Sequence, residues 1–237
     1  MIEITFKPKK VGLSFLSIVV FLTLIHCIVL VSFFYLDNPN IFFFVRWFDL
    51  DIEKNIPSSY SSFAIFVCSF LFFIIAIHKR RRLDYERSCW FGLTVIFLFL
   101  SIDEGFQIHE NIGDIAENHI NATGFLYFPW IVPYGFAVIV FGLVYLKFIL
   151  GLPKKTAVLF ILSGTVYLTG AMVFDMLGGR EAELHGFDSV TYCILYTIEE
   201  FLEMIAIVVL IYALLSYIDK QFGYICITLQ VRDTKIG

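Results

Sequence analysis

Long apolar stretches alternate with short polar segments along the chain, and the apolar stretches predict helices that cross a membrane. A helix needs about 20 residues to cross the hydrocarbon core of a bilayer. Six stretches approach or exceed that length, at residues 12–36, 61–78, 89–109, 130–151, 156–178 and 189–217. The first is too long for the apolar part of a signal peptide, which holds about 7–15 residues. The pattern therefore predicts an all-α, polytopic bundle of six transmembrane helices, forming a single integral membrane domain over 1–237.

The basic residues predict the orientation of this bundle, because Lys and Arg concentrate on the cytoplasmic side of membrane proteins. If the N-terminus is cytoplasmic, the segments on the other side hold only Arg46, Lys54 and Arg180 of the 17 basic residues. The loop HKRRRLDYER, between the second and third helices, then lies on the cytoplasmic side, where it anchors the topology or binds anionic lipid headgroups. Both termini are therefore predicted to be cytoplasmic.

Composition narrows the class of protein further. Hydrophobic residues make up 59% of the chain and its mean hydropathy is +0.84, which favours a membrane protein over a soluble domain. The net charge of −4 and the lack of a basic patch interleaved with aromatics argue against a nucleic-acid partner. The five cysteines form no CxxC pair, so we expect them to be small buried hydrophobic side chains rather than disulfide partners or metal ligands. On the outer side, NIFFFVRWFDLDIEKNIP mixes aromatics with acids and predicts a helix lying on the membrane surface.

Polar residues gather at the end of the third apolar stretch, in the segment SIDEGFQIHE (101–110). On an uninterrupted helix, a single polar stripe at about 100° per residue would be formed by Asp103, Gln107, Glu110, Asp114 and Glu117. Glu104 and His109 would flank this stripe. The stripe predicts a functional surface that runs from inside the bilayer to its outer face.

Two later stretches add acids at a similar depth. One face of the sixth helix, in YCILYTIEEFLEM, is predicted to carry Tyr192, Tyr196, Glu199, Glu200 and Glu203. Glu200 would lie about 16 Å from the outer end of that helix, near mid-membrane. The fifth helix places Asp175 near its outer end, after small residues between Ser163 and Ala171 that let membrane helices approach closely.

These acids have no basic partner within the three apolar stretches. Clustered carboxylates in low dielectric need a cation, bound protons or a water-filled cavity. Carboxylates and an imidazole suit Zn, Mn or Fe. The predicted ligands of such a divalent ion are Glu104, His109, Glu110, Asp175 and Glu199. A proton or cation pathway without a fixed metal stays an alternative, as do acids that merely hold the helices together.

The chemistry that such a site would favour is metal-assisted hydrolysis or transfer on a lipid-like substrate in the membrane. A metal-bound water would be the nucleophile and Glu200 or Glu203 the base, with Asp103 as a further catalytic residue. The predicted substrate-binding residues are Gln107, Tyr192 and Tyr196. Two other classes stay open: a transporter or proton-relay subunit, and a non-catalytic subunit of a homo-oligomer or larger membrane complex.

Two acidic elements, LSIDEGFQIHE and EEFLEM, resemble a group of small bacterial multi-pass membrane proteins with DE-x4-HE and EE-x2-EM patterns. The matching positions are Asp103, Glu104, His109, Glu110, Glu199, Glu200, Glu203 and Met204. The resemblance implies a shared acidic core and a location in the bacterial inner membrane, but no particular reaction. With the orientation predicted from Lys and Arg, the site would open to the periplasmic side. SIDE is also similar to the Asp-Glu element of alkaline ceramidases, which are zinc amidohydrolases. The HxxxH pair of that family is absent, so ceramidase activity is not carried over.

Overall fold

The computed structural model describes residues 7–35, 41–79, 84–117 and 122–223, and in these ranges the chain is helical without a strand. The helices are α1 (Pro8–Tyr35), α2 (Ile41–Phe48), α3 (Ile56–His78), α4 (Asp84–Phe106), α5 (Ile108–Glu117), α6 (Ile131–Leu150), α7 (Lys154–Leu168), α8 (Asp175–His185) and α9 (Val190–Phe222). A 3-10 turn at Gly124–Leu126 precedes α6. A π-helical turn at Thr169–Phe174 joins α7 to α8.

Six helices in the described ranges are long and apolar enough to cross a membrane, which confirms the predicted multi-pass, all-α class. They are α1, α3, α4, α6, α9 and the continuous rod Lys154–His185 made of α7, the π turn and α8. The start of α1 lies beside the end of α9, because a Cβ atom at Gly12 would sit 3.6 Å from the Cβ of Tyr212. The start of α1 and the end of α9 therefore lie at the same end of the bundle, and the cytoplasmic location of this end stays a prediction.

Some of the Lys and Arg residues on which the predicted cytoplasmic orientation rests lie outside the described residues. They are Arg80, Arg81, Arg82, Arg232 and Lys235. Lys79 is described, and its ammonium pairs with Glu86 at 2.9 Å across the gap between α3 and α4. Of the four described cysteines, Cys68, Cys89 and Cys193 are buried as predicted, whereas Cys27 is exposed on the surface of α1. Cys226 lies outside the described ranges.

The prediction of an uninterrupted helix over 89–109 is wrong. The third transmembrane helix, α4, ends at Phe106, and Gln107 has φ +59°, in the left-handed region. The Gln107 N–H donates to the Asp103 carbonyl at 2.8 Å, and its own carbonyl accepts from the Asn111 N–H at 3.3 Å. Gln107 thus ends α4 with the left-handed residue that commonly ends helices, and α5 begins directly after it.

Several helices extend beyond their predicted ends, among them α3 and the fifth spanning helix. The helix α3 begins at Ile56 rather than near residue 61, because Asn55 caps it: its side chain accepts from the Ser58 N–H while the Ser58 side chain accepts from the Asn55 N–H. Pro57 fits the first turn of this helix. The fifth spanning helix was predicted to end at residue 178, but α8 continues to His185.

Aromatic side chains pack together at the end of the bundle that holds the start of α1 and the end of α9. Trp90 is fully buried there among aromatic rings, with Phe72 at 5.9 Å, Phe148 at 5.1 Å and Tyr217 at 5.2 Å between ring centroids. This cluster joins α3, α4, α6 and α9. It closes that end of the bundle and leaves the space for a site toward the other end.

Small residues bring the π turn and α7 against α9. A Cβ atom at Gly170 would lie 2.8 Å from the carbonyl oxygen of Glu199, so only glycine fits at this position. About two helical turns deeper, the Ser163 hydroxyl donates to the Ala206 carbonyl at 2.8 Å. These contacts set the depth of Asp175, which follows the π turn, relative to the acids of α9.

Candidate functional site

A cavity of about 1260 Å³ lies inside the bundle, larger than the roughly 300–1,000 Å³ of common small-molecule sites. Every residue predicted for the site lines it: Asp103, Glu104, Gln107, His109, Glu110, Asp175, Tyr192, Tyr196, Glu199, Glu200 and Glu203. The three acidic segments, distant in sequence, therefore meet around one space. Their roles as catalytic, ligating or substrate-binding residues stay predictions.

Further acids reach the cavity from the segment 49–55, between α2 and α3. No residue of this segment was predicted to be part of the site. Asp51 and Glu53 line the cavity, while Asp49 is buried behind them. The aromatic helix expected in this region is present as α2, which exposes Phe43 and Trp47. The sequence does carry a signal for these acids, which occupy every second position directly before Asn55. Asn55 caps α3 and so fixes the direction in which this segment enters the helix.

His26 of α1 holds this segment inside the bundle. Its Nδ1 atom accepts the backbone N–H of Leu50 at 3.2 Å and therefore carries no proton. Its Nε2 atom then carries the proton and donates to the Thr197 hydroxyl of α9 at 2.9 Å. His26 is fully buried and neutral in this arrangement, so it serves as a structural link between α1, the acidic segment and α9.

Two tyrosines of α9 fix the acids of the same segment. The Tyr192 hydroxyl donates to Asp51 Oδ1 at 2.9 Å, and the Tyr196 hydroxyl donates to Asp49 Oδ2 at 3.3 Å. Burial raises the pKa of Asp51 to about 6, although the Tyr192 hydrogen bond acts in the opposite direction. Burial raises the pKa of Asp49 as well. Both tyrosines had been predicted to bind substrate, and in this structure their hydroxyls are engaged by acids of the protein.

Asp103 is the hub on which α4, α5 and α6 converge. Its Oδ1 atom accepts the backbone N–H of His109 at 2.7 Å, and its Oδ2 atom accepts the Tyr134 hydroxyl at 2.8 Å. The left-handed turn at Gln107 allows the first bond, because it folds the start of α5 back over the end of α4. The carboxylate is 5% exposed and thus holds both helices in place from within.

His109 lies between two carboxylates. Its Nδ1 atom is 3.3 Å from Asp103 Oδ1, and its Nε2 atom is 3.3 Å from Glu53 Oε1. The ring packs against Trp130, with 5.3 Å between centroids. Burial by itself lowers the pKa of His109, but the hydrogen bonds and charges of Asp103 and Glu53 outweigh it and raise the pKa to about 11. At neutral pH the ring is therefore an imidazolium unless a cation replaces its Nε2 proton.

Three side chains here could hold a metal ion together. Glu53, His109 and Glu110 each offer one ligand atom, and these atoms lie within 4.8 Å of one another. The second oxygen of Glu53, Oε2, is buried without a hydrogen-bond partner. Two of the five predicted ligands, His109 and Glu110, belong to this group. Glu104, Asp175 and Glu199 line the cavity but are not among the three, and Glu53 is a candidate ligand that was not predicted from the sequence.

A second group of acids lines the part of the cavity that extends toward the middle of the bundle. It consists of Glu104, Glu199, Glu200 and Glu203, all half-buried, together with Asp175. Asp175 is 8% exposed, and its Oδ2 atom has no hydrogen-bond partner. The Tyr167 hydroxyl lies within hydrogen-bonding reach of Glu203. Lys54 is the only Lys or Arg side chain lining the cavity within the described ranges, so the cavity wall is strongly acidic.

Comparison with known proteins identifies the family. The chain belongs to the family described as "Domain of unknown function (DUF8692)", whose model matches residues 12–218 and so includes nearly all of the six candidate spans. No curated protein and no solved structure matches the chain. The DE-x4-HE and EE-x2-EM elements and the likeness to alkaline ceramidases stay interpretations of the sequence.

Proposed function

We propose that this family member is a multi-pass protein of the bacterial inner membrane that binds a divalent cation and uses it for hydrolysis or group transfer on a lipid-like substrate. The observation that carries the proposal is the setting of His109. Asp103 holds one ring nitrogen, while the other faces Glu53 at 3.3 Å. Metal-binding histidines almost always have their second nitrogen held by a carboxylate or carbonyl in this way.

In this proposal Glu53, His109 and Glu110 are the ligands and Asp103 is the positioning residue. Carboxylates with one imidazole suit Zn, Mn or Fe, as the sequence already suggested. Binding requires that His109 release its Nε2 proton, and the hydrogen bond to Asp103 keeps the other nitrogen protonated and correctly turned. A divalent cation supplies a Lewis acid and an activated water at neutral pH.

The remaining acids receive roles from their place in the cavity. Glu203 interacts with the charge of His109, which makes it the better placed of the two proposed bases, Glu200 and Glu203. Tyr167 would keep Glu203 oriented toward the cavity. Tyr192 and Tyr196 act in this proposal by fixing the segment that carries Glu53, and Gln107 by turning His109 toward it. Opening of the site toward the periplasm rests on the distribution of Lys and Arg in the sequence.

A proton- or cation-relay function is the second candidate, and the continuity of the acids favours it. Acids line the cavity from Glu53 at one end of the bundle to Glu203, about four turns into α9. Such a row suits the transfer of protons or cations through a membrane protein. A non-catalytic subunit, whose acids hold helices together, would need neither metal nor transport.

Elemental analysis of the detergent-purified protein separates these candidates. We expect the wild type to carry a stoichiometric divalent ion, and Glu53→Gln and His109→Ala to lose it while keeping their helical circular dichroism. Glu86→Gln, at the opposite end of the bundle, is the matched control and should keep the metal. A wild type without stoichiometric metal overturns the metal-dependent function. Cation-dependent flux in proteoliposomes by that metal-free protein would then support the relay.

A further inference from the structure

The cavity has a second, apolar part beyond the acids, and this part continues the same space. Below Glu104 and Glu203 its walls are formed by Phe72, Leu93, Phe97, Phe160 and Ile207. Along α9 the lining extends from Glu203 to Leu210, which is about 10 Å of helix. We call this part the apolar arm. An occupant that fills the whole cavity must therefore be polar at one end and apolar over the other.

The apolar arm is open to the side of the bundle between α4 and α6. Val95 and Phe99 of α4 line the cavity and are 64% and 44% exposed, so its wall continues into the outer surface of the bundle. Farther along the two helices this gap is closed by the close approach of Gly92 and Tyr145. In a bilayer, a lateral opening at this level faces lipid chains rather than water. A molecule already dissolved in the membrane can thus enter sideways.

The charge of the acidic part limits the polar end of that molecule. The wall carries the carboxylates of both acid groups, and its only basic side chains within the described ranges are Lys54 and His109, which is one of the three proposed ligands. An anionic headgroup would be repelled by this wall, whereas a cationic one is attracted. The unpartnered Oδ2 of Asp175, in a side chain that is 92% buried and lines the cavity, is an acceptor that a headgroup N–H can satisfy.

From these three features we infer that the cavity binds an amphiphile with one alkyl chain and a protonated amine headgroup, with the chain in the apolar arm and the ammonium among Glu104, Asp175 and Glu200. The inference deepens the proposed function, on which it rests, by naming the class of its substrate. The inference predicts that an amine binds more tightly than a neutral or an anionic amphiphile with an alkyl chain of the same length. The hydrophobic effect alone would not produce this preference, because the three amphiphiles have the same alkyl chain and are dissolved in the same bilayer.

The fluorescence of Trp90 can report the position of the amphiphile's alkyl chain. Its ring is fully buried at the end of the apolar arm, 5.9 Å from Phe72 and 6.2 Å from Phe160 between centroids, and so is shielded from bulk lipid. A bromine atom at the far end of an alkyl chain quenches tryptophan fluorescence only at short range. Quenching of Trp90 in the Trp47→Phe/Trp130→Phe protein therefore reports a chain inside the arm.

The test compares ω-bromododecylamine, ω-bromododecanol and ω-bromododecanoate in nanodiscs of zwitterionic lipid. We expect the amine to quench Trp90 at a concentration at least about tenfold lower than the other two, a difference of about 1.4 kcal/mol. Asp175→Asn/Glu200→Gln should reduce that preference. Val138→Phe, which narrows the cavity from α6, should weaken quenching by all three probes, whereas Val140→Phe, on the same helix but not lining the cavity, should not.

Equal quenching by the three probes, stronger quenching by the carboxylate, or none in the reporter protein overturns the inference. Titration of Mn²⁺ into the wild-type protein, which keeps Trp130 against His109, is followed by electron paramagnetic resonance and keeps the two proposals separate. Mn²⁺ binding without amine preference leaves the metal-dependent function standing and removes its amine substrate. Amine preference without Mn²⁺ binding supports the amphiphile site and removes the metal chemistry.

Discussion

Oδ1 of Asp103 accepts the backbone N–H of His109 at 2.7 Å and lies 3.3 Å from the Nδ1 atom of the same histidine. The two are six positions apart along the chain, on either side of the left-handed turn at Gln107. One carboxylate therefore fixes both the start of α5 and the direction of the imidazole. This pair connects the local break in the helix with the chemistry proposed for the cavity.

Asp103→Asn should weaken Mn²⁺ binding by about 10–100-fold, the usual cost of losing a residue that holds a metal-binding histidine. The amide can still accept the backbone N–H, so α5 should keep its position while the imidazole loses its charged partner. Titration followed by electron paramagnetic resonance measures the affinity, with Glu86→Gln as the control. An unchanged affinity at full helicity would show that Asp103 does not position a ligand.

Gln107→Gly should be more stable than Gln107→Ala by about 1 kcal/mol, because a non-glycine residue in the left-handed region carries a cost of about 1–2 kcal/mol that glycine avoids. Both changes remove the same polar side chain, so the pair isolates the backbone effect at φ +59°. Thermal unfolding in detergent, followed by circular dichroism, gives the difference. If the alanine protein is equally stable, the turn at Gln107 is not strained.

Gly170→Ala should lower the free energy of unfolding by about 1–3 kcal/mol, as expected for overpacking. The new methyl group would lie 2.8 Å from the Glu199 carbonyl oxygen and would push α9 away from the π turn. Gly164→Ala is the matched control, because no atom lies within 4 Å of the added carbon. We expect that variant to be as stable as the wild type or more stable by up to about 1 kcal/mol. Chemical denaturation of both variants measures their free energies of unfolding. Equal losses of stability would contradict the close approach of Gly170 to the Glu199 carbonyl oxygen.

The stability of the protein should depend on pH through Asp49, whose pKa burial raises above its usual value. A raised pKa means that Asp49 contributes stability below its unfolded pKa of about 3.9, and that this contribution is lost as the pH rises through the folded pKa. The groups that face Asp49 are the Tyr196 hydroxyl and the backbone N–H of Asp51, which both donate to it, and the neutral ring of His26 at 3.5 Å. The Asp51 carboxylate is also close enough to interact with its charge.

Asp49→Asn removes this titration and leaves the other residues of the segment unchanged. The melting temperature of the wild type relative to Asp49→Asn should therefore fall as the pH rises from about 4 to 8. Thermal unfolding at a series of pH values measures the difference. A difference that stays constant, or rises with pH, would show that Asp49 is not buried as described.

The spanning helices and the acidic character of the site could be predicted from the chain, whereas the ligand group could not. Six apolar stretches of sufficient length dictate six helices, because a backbone in lipid must satisfy its own hydrogen bonds. Acids at helical spacing in α4 and α9, without basic residues nearby, also required a shared polar space. The length of an apolar stretch, the helical spacing of its acids and the charge of its neighbours are local properties, so they can be determined from a single sequence.

Only the tertiary structure decided which side chains meet. Glu53 enters the site because His26 and Tyr192 draw the segment 49–55 inward, and both contacts join residues far apart in sequence. The break at Gln107 replaces the predicted straight stripe because Asp103 accepts the N–H of His109 beyond it. These outcomes depend on hydrogen bonds between side chains brought together by packing. The sequence by itself determined that acids lie within the membrane, and the packing of α1, α6 and α9 around them determined which of them can share a cation.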